Sequence, residues 1–345
     1  MTRNFAIGLS LLLLTLTGCG KEGEYYTLNG VTQGSTYHIV FQPKVSSDSS
    51  FCAVRDSVAL YLERIDNSLS GYNPNSILTA FNENRPVTLD IIFIDNFLAS
   101  KEMNQKTGGI FDPSAAPLFD LWGFGFKTGT DVTPSQIDSV KSIIGMHHFR
   151  LDTLTSSLGT DSLAIVKDNP TCRLNFNAIA QGYTADYIAA RFSAMGMENF
   201  LVEVGGEIYA KGYNPKGKLW NVGIDKPIDG NNTPGASIQA IVRISSQGLV
   251  TSGDYRKFYM KEGKKISHSI NPKTGFPIEH NLLSATVVAS NATFADAFAT
   301  YLMVIGLDDA IKAVESEEGV EALLIYNSND TLKVWSSKGM NTITE

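Results

Sequence analysis

From residue 200 onward the chain breaks into apolar segments too short for helices. Residues 200–204, 208–210, 220–224, 238–244 and 255–261 alternate or carry β-branched and aromatic side chains, and Gly, Pro, Asn or Asp cluster between them. Glu262-Gly263-Lys264 supplies a hairpin turn into 265–270. Residues 283–289 read as a buried strand, and Asn327-Ser-Asn-Asp330 turns 322–326 back on 332–335. Helical spacing falls between these groups. Val54, Val58, Tyr61, Leu62, Ile65 and Leu69 recur on one face of 51–69, behind Asp48-Ser49-Ser50 as caps. A second helix runs over 90–106 and stops at Gly108-Gly109. Thr133-Pro134 opens a third, with Ile137, Val140, Ile143 and Ile144 inward and Gly145 at its end. A fourth spans 178–195, and a late Ala-rich helix follows strand 283–289. Helices and strands do not alternate strictly, so the expected class is α+β with antiparallel sheets.

The first residues form a separate unit. Arg3 precedes an apolar run over 5–16 that is too short to span a bilayer, and the run ends in Leu16-Thr17-Gly18-Cys19. A small residue directly before cysteine resembles the bacterial lipobox, which implies cleavage after residue 18 and lipidation of Cys19. The expected division is a leader over 1–18, a tether over 19–29 and a folded unit over 30–345. At this length two lobes are expected. Charge narrows the partners: 28 Lys and Arg stand against 35 Asp and Glu, a net −7 that disfavours general nucleic-acid binding. Cys52 and Cys172 remain in the mature chain, either as a disulfide outside the cytosol or as isolated core thiols. With no Cys-x-x-Cys and no His-Glu-x-x-His, sequence motifs give neither a zinc nor a thioredoxin reading.

Several stretches carry candidate chemistry. Asp296 and Thr300 lie four residues apart on the late helix, so a carboxylate and a hydroxyl project from one face. Such a pair makes part of a cage for Mg²⁺, with positions left for water and phosphate oxygens, although a solvated or capping pair is the commoner use of this spacing. Gly212-Tyr-Asn-Pro-Lys-Gly217-Lys218-Leu219 falls short of a P-loop because Leu219 stands where Ser or Thr would hold the metal; it reads as a surface turn. Val204-Gly205-Gly206-Glu207 is either a bulged hairpin or bare backbone for a ligand. Residues 107–125 concentrate turn formers and aromatics that pack a loop or wall an aromatic ligand. Val250-Thr251-Ser252-Gly253-Asp254-Tyr255-Arg256 places hydroxyls beside a Gly, where backbone N–H groups could bind phosphate, and His268, among hydroxyls and Lys273 just before a Pro/Gly turn, is either a structural or solvated strand-end histidine or a general base.

Taken in order, eight segments resemble the ApbE family of flavin transferases. They are Gly34-Ser-Thr-Tyr37, Leu69-Ser-Gly-Tyr72-Asn-Pro-Asn-Ser76, residues 107–125, Ala180-Gln-Gly-Tyr-Thr-Ala-Asp186, residues 204–207, 251–256 and 267–277, and Ala295-Asp296-Ala-Phe-Ala-Thr300. The resemblance implies a two-lobed, T-fold-like architecture with an FAD cleft between the lobes. It implies Mg²⁺-dependent cleavage of the FAD pyrophosphate, joining FMN through its phosphate to a Thr or Ser of an acceptor protein as AMP leaves. By the same resemblance Asp296, Thr300 and the carbonyl of Ala178 hold the metal. Gln33, Tyr72, Ile110, Phe111, Asp112, Asn175, Gln181 and Ile270 contact the flavin nucleotide, and His268 takes the proton of the incoming hydroxyl. Three positions depart from the family pattern: Asn175 replaces an Asp, Gln181 a Lys or Glu, and Asn271 the Asp before Pro. Each swap removes a charge and keeps a hydrogen-bonding group.

The expected acceptor is a flavin-carrying subunit of a membrane redox pump, met on the extracytoplasmic side by a lipid-anchored enzyme. Two other functions suit the same residues: an FAD pyrophosphatase that passes the phosphoryl group to water, and a lipoprotein that only binds flavin.

Overall fold

The computed structural model describes residues 23–124, 132–155, 161–228, 235, 237–253, 258–261, 264–267 and 269–343. The expected leader, Cys19 and His268 lie outside them. In chain order come β1 (Tyr26–Thr32), β2 (Ser35–Gln42), α1 (Asp48–Leu69), α2 (Ile77–Asn82), α3 (Ile91–Lys106), α4 (Ala116–Leu121) and α5 (Pro134–Lys141). A 3₁₀ turn (Met146–His148) leads into the hairpin β3 (Phe149–Thr155) and β4 (Asp161–Lys167), then α6 (Ala180–Ala194). Next are β5 (Asn199–Val204), β6 (Glu207–Lys211), β7 (Trp220–Asp225), β8 (Ile238–Ile244), β9 (Gln247–Gly253), β10 (Phe258–Lys261), β11 (Lys264–Ser267), β12 (Ile270–Asn271), β13 (Phe276–Pro277) and β14 (Leu282–Ala289). The chain closes with α7 (Ala292–Ile305), α8 (Leu307–Ser316), β15 (Glu321–Ser328), β16 (Thr331–Ser336) and α9 (Lys338–Ile343).

The α+β expectation holds. One eight-stranded sheet runs in the order β1-β2-β5-β6-β9-β14-β15-β16, and every neighbouring pair is antiparallel. Its strands alternate between two apolar layers, as a period of two requires. Phe200, Val202, Val250, Val287 and Leu324 face a large core shared with α1, α3, α6 and α7. Leu201, Leu249, Val288 and Leu323 face the opposite way, onto the β7–β8 hairpin and Met340 of α9. A third, small cluster joins Ala115, Leu118, Ile144 and Ile270. Helices α1, α3, α6 and α7 therefore cover one face of the sheet, and the site grows where α6 and α7 meet on that face.

Local signals explain most helix ends. Asp90 and Asn291 cap α3 and α7 by accepting the Phe93 and Phe294 N–H groups. Thr133 and Gln136 form a reciprocal capping box on α5, which ends at Lys141, short of the Ile143–Gly145 stop expected from sequence. Helix α1 starts earlier than expected, because Ser47 and not the following Asp-Ser-Ser run accepts from Ser50 N–H. Three expectations need correction. Residues 250–253 belong to a central strand between β6 and β14, where strand pairing engages the backbone expected to cradle phosphate. Gly205 and Gly206, with φ of 71° and 109°, close a two-residue hairpin turn between β5 and β6. The α6 helix begins at Ala180, two residues later than expected, which leaves Ala178 in a turn. Cys52 and Cys172 are both free thiols, and Cys172 is fully buried.

Candidate active site

The site is built where two helices supply a carboxylate to each other's N-terminus. Ala292, Ala295, Ala297 and Ala299 of α7 are buried small side chains, so the helix lies close to its neighbours. Gly182 on α6 and Gly248 on β9 permit the closest approaches. A Cβ on Gly182 would stand 2.4 Å from the Ala292 carbonyl oxygen and 2.8 Å from Asp296 Cβ; one on Gly248 would stand 2.3 Å from Ala292 N. Across this contact Gly182 N–H donates to Asp296 Oδ2 at 3.1 Å. In return Asp186, one turn along α6, accepts from Ala292 N–H (2.9 Å), Thr293 N–H (2.7 Å) and the Thr293 hydroxyl (2.5 Å). Both carboxylates face the positive end of a helix.

Burial dominates their electrostatics. Asp296 is 5% exposed, and desolvation pushes its pKa up to about 7; the Gly182 N–H opposes the rise and the charge of Asp186 adds to it. Burial likewise raises Asp186, against its hydrogen bonds to Thr293 and Ala292. Replacing Asp186 by Ala strips acceptors from two N–H groups at the start of α7. Urea denaturation should show a loss of about 2 kcal/mol, the scale of a lost cap with its donors left unpaired.

The Mg²⁺ donor set implied by the sequence fits these observations. Gly182 N–H, which a regular helix would give to the carbonyl four residues back, goes to Asp296 instead, and among the described residues no backbone N–H donates to Ala178 O. A buried carboxylate held by one backbone N–H, a released carbonyl and the Thr300 hydroxyl are hard oxygen donors suited to Mg²⁺. Thr300 Oγ1 lies 3.5 Å from Ser252 Oγ on β9, so a second hydroxyl joins the group.

The residues expected to contact flavin fall into two groups. Gln33 sits at the tip of the β1–β2 hairpin with φ of 50°, and its Nε2 donates to Thr184 Oγ1 of α6 at 2.6 Å. The Gln181 amide lies over Gly205, where a Cβ would come within 2.2 Å of its Nε2. Thus Gln33 and Gln181 meet at the start of α6. The second group forms around the loop after α3. Phe111 N–H donates to Thr107 Oγ1, Asn104 Nδ2 donates to Phe111 O, and Asn175 N–H donates to Pro113 O. Phe111 buries its ring in the main core at 3% exposure, and the Thr107 and Asn104 side chains already engage its N–H and carbonyl. Ile110 precedes it, half-buried. Asp112 accepts from Ser114 N–H and hydroxyl; burial raises its pKa, opposed by the Ser114 hydrogen bonds and by electrostatic interaction with the nearby His147 and His148 rings.

Ile270 is buried in the small third cluster beside Ala115. The following Asn271–Gly275 turn is pinned by Trp122 Nε1–H donating to Gly275 O, and Lys273 leans over Gly108 and Gly109. Tyr72 belongs to neither group: it is 72% exposed on the loop between α1 and α2. Sequence reasoning gave no role to Asp186 and set Ser252 in a loop. Asp186 had a signal, being the last residue of the Ala180–Asp186 motif, one turn beyond Gly182.

A model of the ApbE family matches residues 33–324. The chain belongs to the ApbE family. It is 35% identical over 344 residues to an FAD:protein FMN transferase of Escherichia coli K12, covering 96% of this chain and 95% of that protein. Its identity to the FAD:protein FMN transferase of Haemophilus influenzae is 30%, across 97% and 96% of the two chains. Among solved structures, the flavin transferase ApbE from Vibrio cholerae superposes with a TM-score of 0.77 at 29% identity, over 93% of this chain and 99% of that one. The apo flavinyl transferase ApbE of Pseudomonas stutzeri gives 0.79 at 28%, over 93% and 96%. The ApbE fold thus spans 93% of the chain.

Proposed function

We propose that this chain is an FAD:protein FMN transferase that uses Mg²⁺, releases AMP and esterifies a Thr or Ser of an acceptor protein. The observation that carries the reading is the Gly182–Asp296 contact: it holds a buried carboxylate at the start of α6 and takes the N–H that a regular helix would give to the Ala178 carbonyl. Family membership supplies the substrate class. Bound Mg²⁺ supplies charge neutralisation for the pyrophosphate, so that AMP departs as a stabilised anion. Asp296, Thr300 and Ala178 O hold that ion, and Asp186 holds α7 in the position that presents Asp296. Gln33 and Gln181 orient the nucleotide from one side, and the Ile110-Phe111-Asp112 loop from the other.

In the chemical step the acceptor hydroxyl oxygen bonds to the FMN phosphorus. The bond from that phosphorus to the bridging oxygen breaks, AMP carries away the electron pair, and His268 receives the hydroxyl proton. Cys19 anchors the enzyme through lipid on the extracytoplasmic face, where a flavin-carrying subunit of a membrane redox pump is the acceptor. No helix among the described residues is long and apolar enough to cross a membrane, in keeping with an anchor at the leader junction.

The test follows AMP and protein-bound flavin together. The protein with FAD and Mg²⁺ should release AMP only when an acceptor domain is added, and mass spectrometry should find one FMN on that domain. AMP release without acceptor would replace transfer by hydrolysis, and FAD binding with no release would leave a flavin carrier. His268→Ala should slow transfer by about 10²–10⁴-fold, the range for general-base catalysis, with FAD affinity little changed. A collapse of affinity instead would make His268 a ligand contact.

A further inference from the structure

Away from the α6–α7 site, the β3–β4 hairpin brings three unlike side chains together. His148 precedes β3 and Asp168 follows β4; Asp168 N–H donates to His148 O at 3.1 Å, continuing the pairing one step beyond Phe149 and Lys167. The chain then folds back through a turn in which Cys172 N–H donates to Asn169 O. Asn169 braces this turn by accepting from Thr171 N–H and hydroxyl. His148 Nδ1 lies 2.7 Å from Asp168 Oδ1, and one donor atom from each of His148, Asp168 and Cys172 lies within 4.8 Å of the other two. The His147 ring lies against that of His148, with centroids 4.0 Å apart and planes tilted by 39°.

We propose that His148, Asp168 and Cys172 form a second metal site, for Zn²⁺ or a similar borderline-soft divalent cation, distinct from the Mg²⁺ site. Tetrahedral Zn²⁺ with thiolate at about 2.3 Å and imidazole at about 2.0 Å sets neighbouring donors about 3.5 Å apart. Rotations of the His148 and Asp168 side chains supply that adjustment, because backbone bonds already fix the three Cα positions. Sulfur, nitrogen and a single carboxylate oxygen form a donor set that Zn²⁺ accepts and Mg²⁺ does not favour. Asp168 is 61% exposed and admits the ion from solvent, whereas Cys172 is fully buried, out of reach of a bulky substrate. Water takes the fourth position.

Binding exchanges the Cys172 thiol proton for the ion and releases that proton to solvent. Burial raises the Cys172 pKa, so the thiol is neutral until metal arrives. The nearby Lys167 ammonium opposes a cation, but it is held by the carbonyls of Phe81 and Cys172 and lies over the Phe81 ring. The ion clips the end of the hairpin to the segment running through Asn175 and Ala178 into α6. It thereby stiffens backbone that serves the flavin site.

Cobalt reports the site directly. Metal-free protein titrated with Co²⁺ should develop a thiolate-to-cobalt charge-transfer band and tetrahedral visible bands at one equivalent, unaffected by excess Mg²⁺ and displaced by Zn²⁺. Cys172→Ser and His148→Ala should lose them, and Cys52→Ser should keep them. Asp168→Asn changes an exposed side chain, so it tests the site even if Cys172→Ser does not fold. It should weaken binding at least about tenfold, the lower range for losing even an outer-shell partner. Zn²⁺ should also raise the melting temperature of the native protein and not of the His148→Ala variant. The site is disproved by a native protein without the thiolate band, or by a band that persists in both Asp168→Asn and His148→Ala. Either result leaves the transferase reading standing, because that reading is judged by AMP and FMN transfer.

Discussion

An Asp296→Asn variant is expected to lose FMN transfer by at least about 10³-fold and yet to melt above the native protein when both are metal-free at pH 8. The two effects share a cause. Asp296 is 5% exposed and takes one N–H, from Gly182. Burial, offset in part by that bond and reinforced by Asp186, lifts its pKa from 3.8 to about 7. A carboxyl whose folded pKa is raised contributes stability that is complete below its unfolded pKa and is lost as pH rises through 7. Above pH 7 the metal-free native fold therefore bears a penalty on the order of 4 kcal/mol, since each tenfold change in proton affinity is worth about 1.4 kcal/mol. Asparagine keeps the shape and still accepts from Gly182 N–H, but it has no charge to desolvate. In EDTA the variant should melt higher at pH 8, and the gap should close toward pH 4. Adding Mg²⁺ should reverse the order, because only the native protein gains binding energy from the ion. A variant that melts below the native protein in EDTA at pH 8 would show the carboxylate stabilising the fold unaided, and the metal assignment would lose its basis.

How far such a site can be read from sequence depends on whether its cause is local. Helices α3 and α7 were legible because Asp90 and Asn291 stand directly before an apolar periodic run. The start of α1 slipped because Ser47, Asp48, Ser49 and Ser50 are all competent caps, and packing chooses among them. The β9 strand was misread for a stronger reason. Thr251-Ser252-Gly253 suits a loop by composition, yet pairing with β6 and β14 overrides local preference, and Thr251 Oγ1 meets Thr286 Oγ1 across the sheet at 2.8 Å. Asp296 and Thr300 could be named in advance, since i and i+4 share a helix face. Asp186 could not be given its role, because accepting from α7 requires knowing that α7 lies on α6. His148, Asp168 and Cys172 sit beyond any sequence motif, since only the register of the β3–β4 hairpin sets the first two side by side.

Gly182→Ala should damage the active site through a single added methyl group. Two effects compete. Alanine is the better helix former by about 1 kcal/mol, which favours the variant. Against that, its Cβ would stand 2.4 Å from the Ala292 carbonyl oxygen and 2.8 Å from Asp296 Cβ, and the nearest of these atoms is main chain that cannot rotate away. Overpacking of this kind costs about 3 kcal/mol, so destabilisation wins by about 2 kcal/mol. The structural response is the more telling part. The first turn of α7 must move off α6, which stretches both the Gly182 N–H bond to Asp296 and the Asp186 bonds to Ala292 and Thr293. Transfer should then fall by at least about 10²-fold, as expected when a charge-stabilising group shifts by about an ångström, and Mg²⁺ should no longer raise the melting temperature. Gly217→Ala is the matched control: φ is +70° there and nothing lies within 4 Å, so it should cost about 1 kcal/mol of backbone strain and leave transfer unchanged. Native-like melting and full Mg²⁺ response in Gly182→Ala would mean that α6 and α7 do not need their close contact to assemble the site.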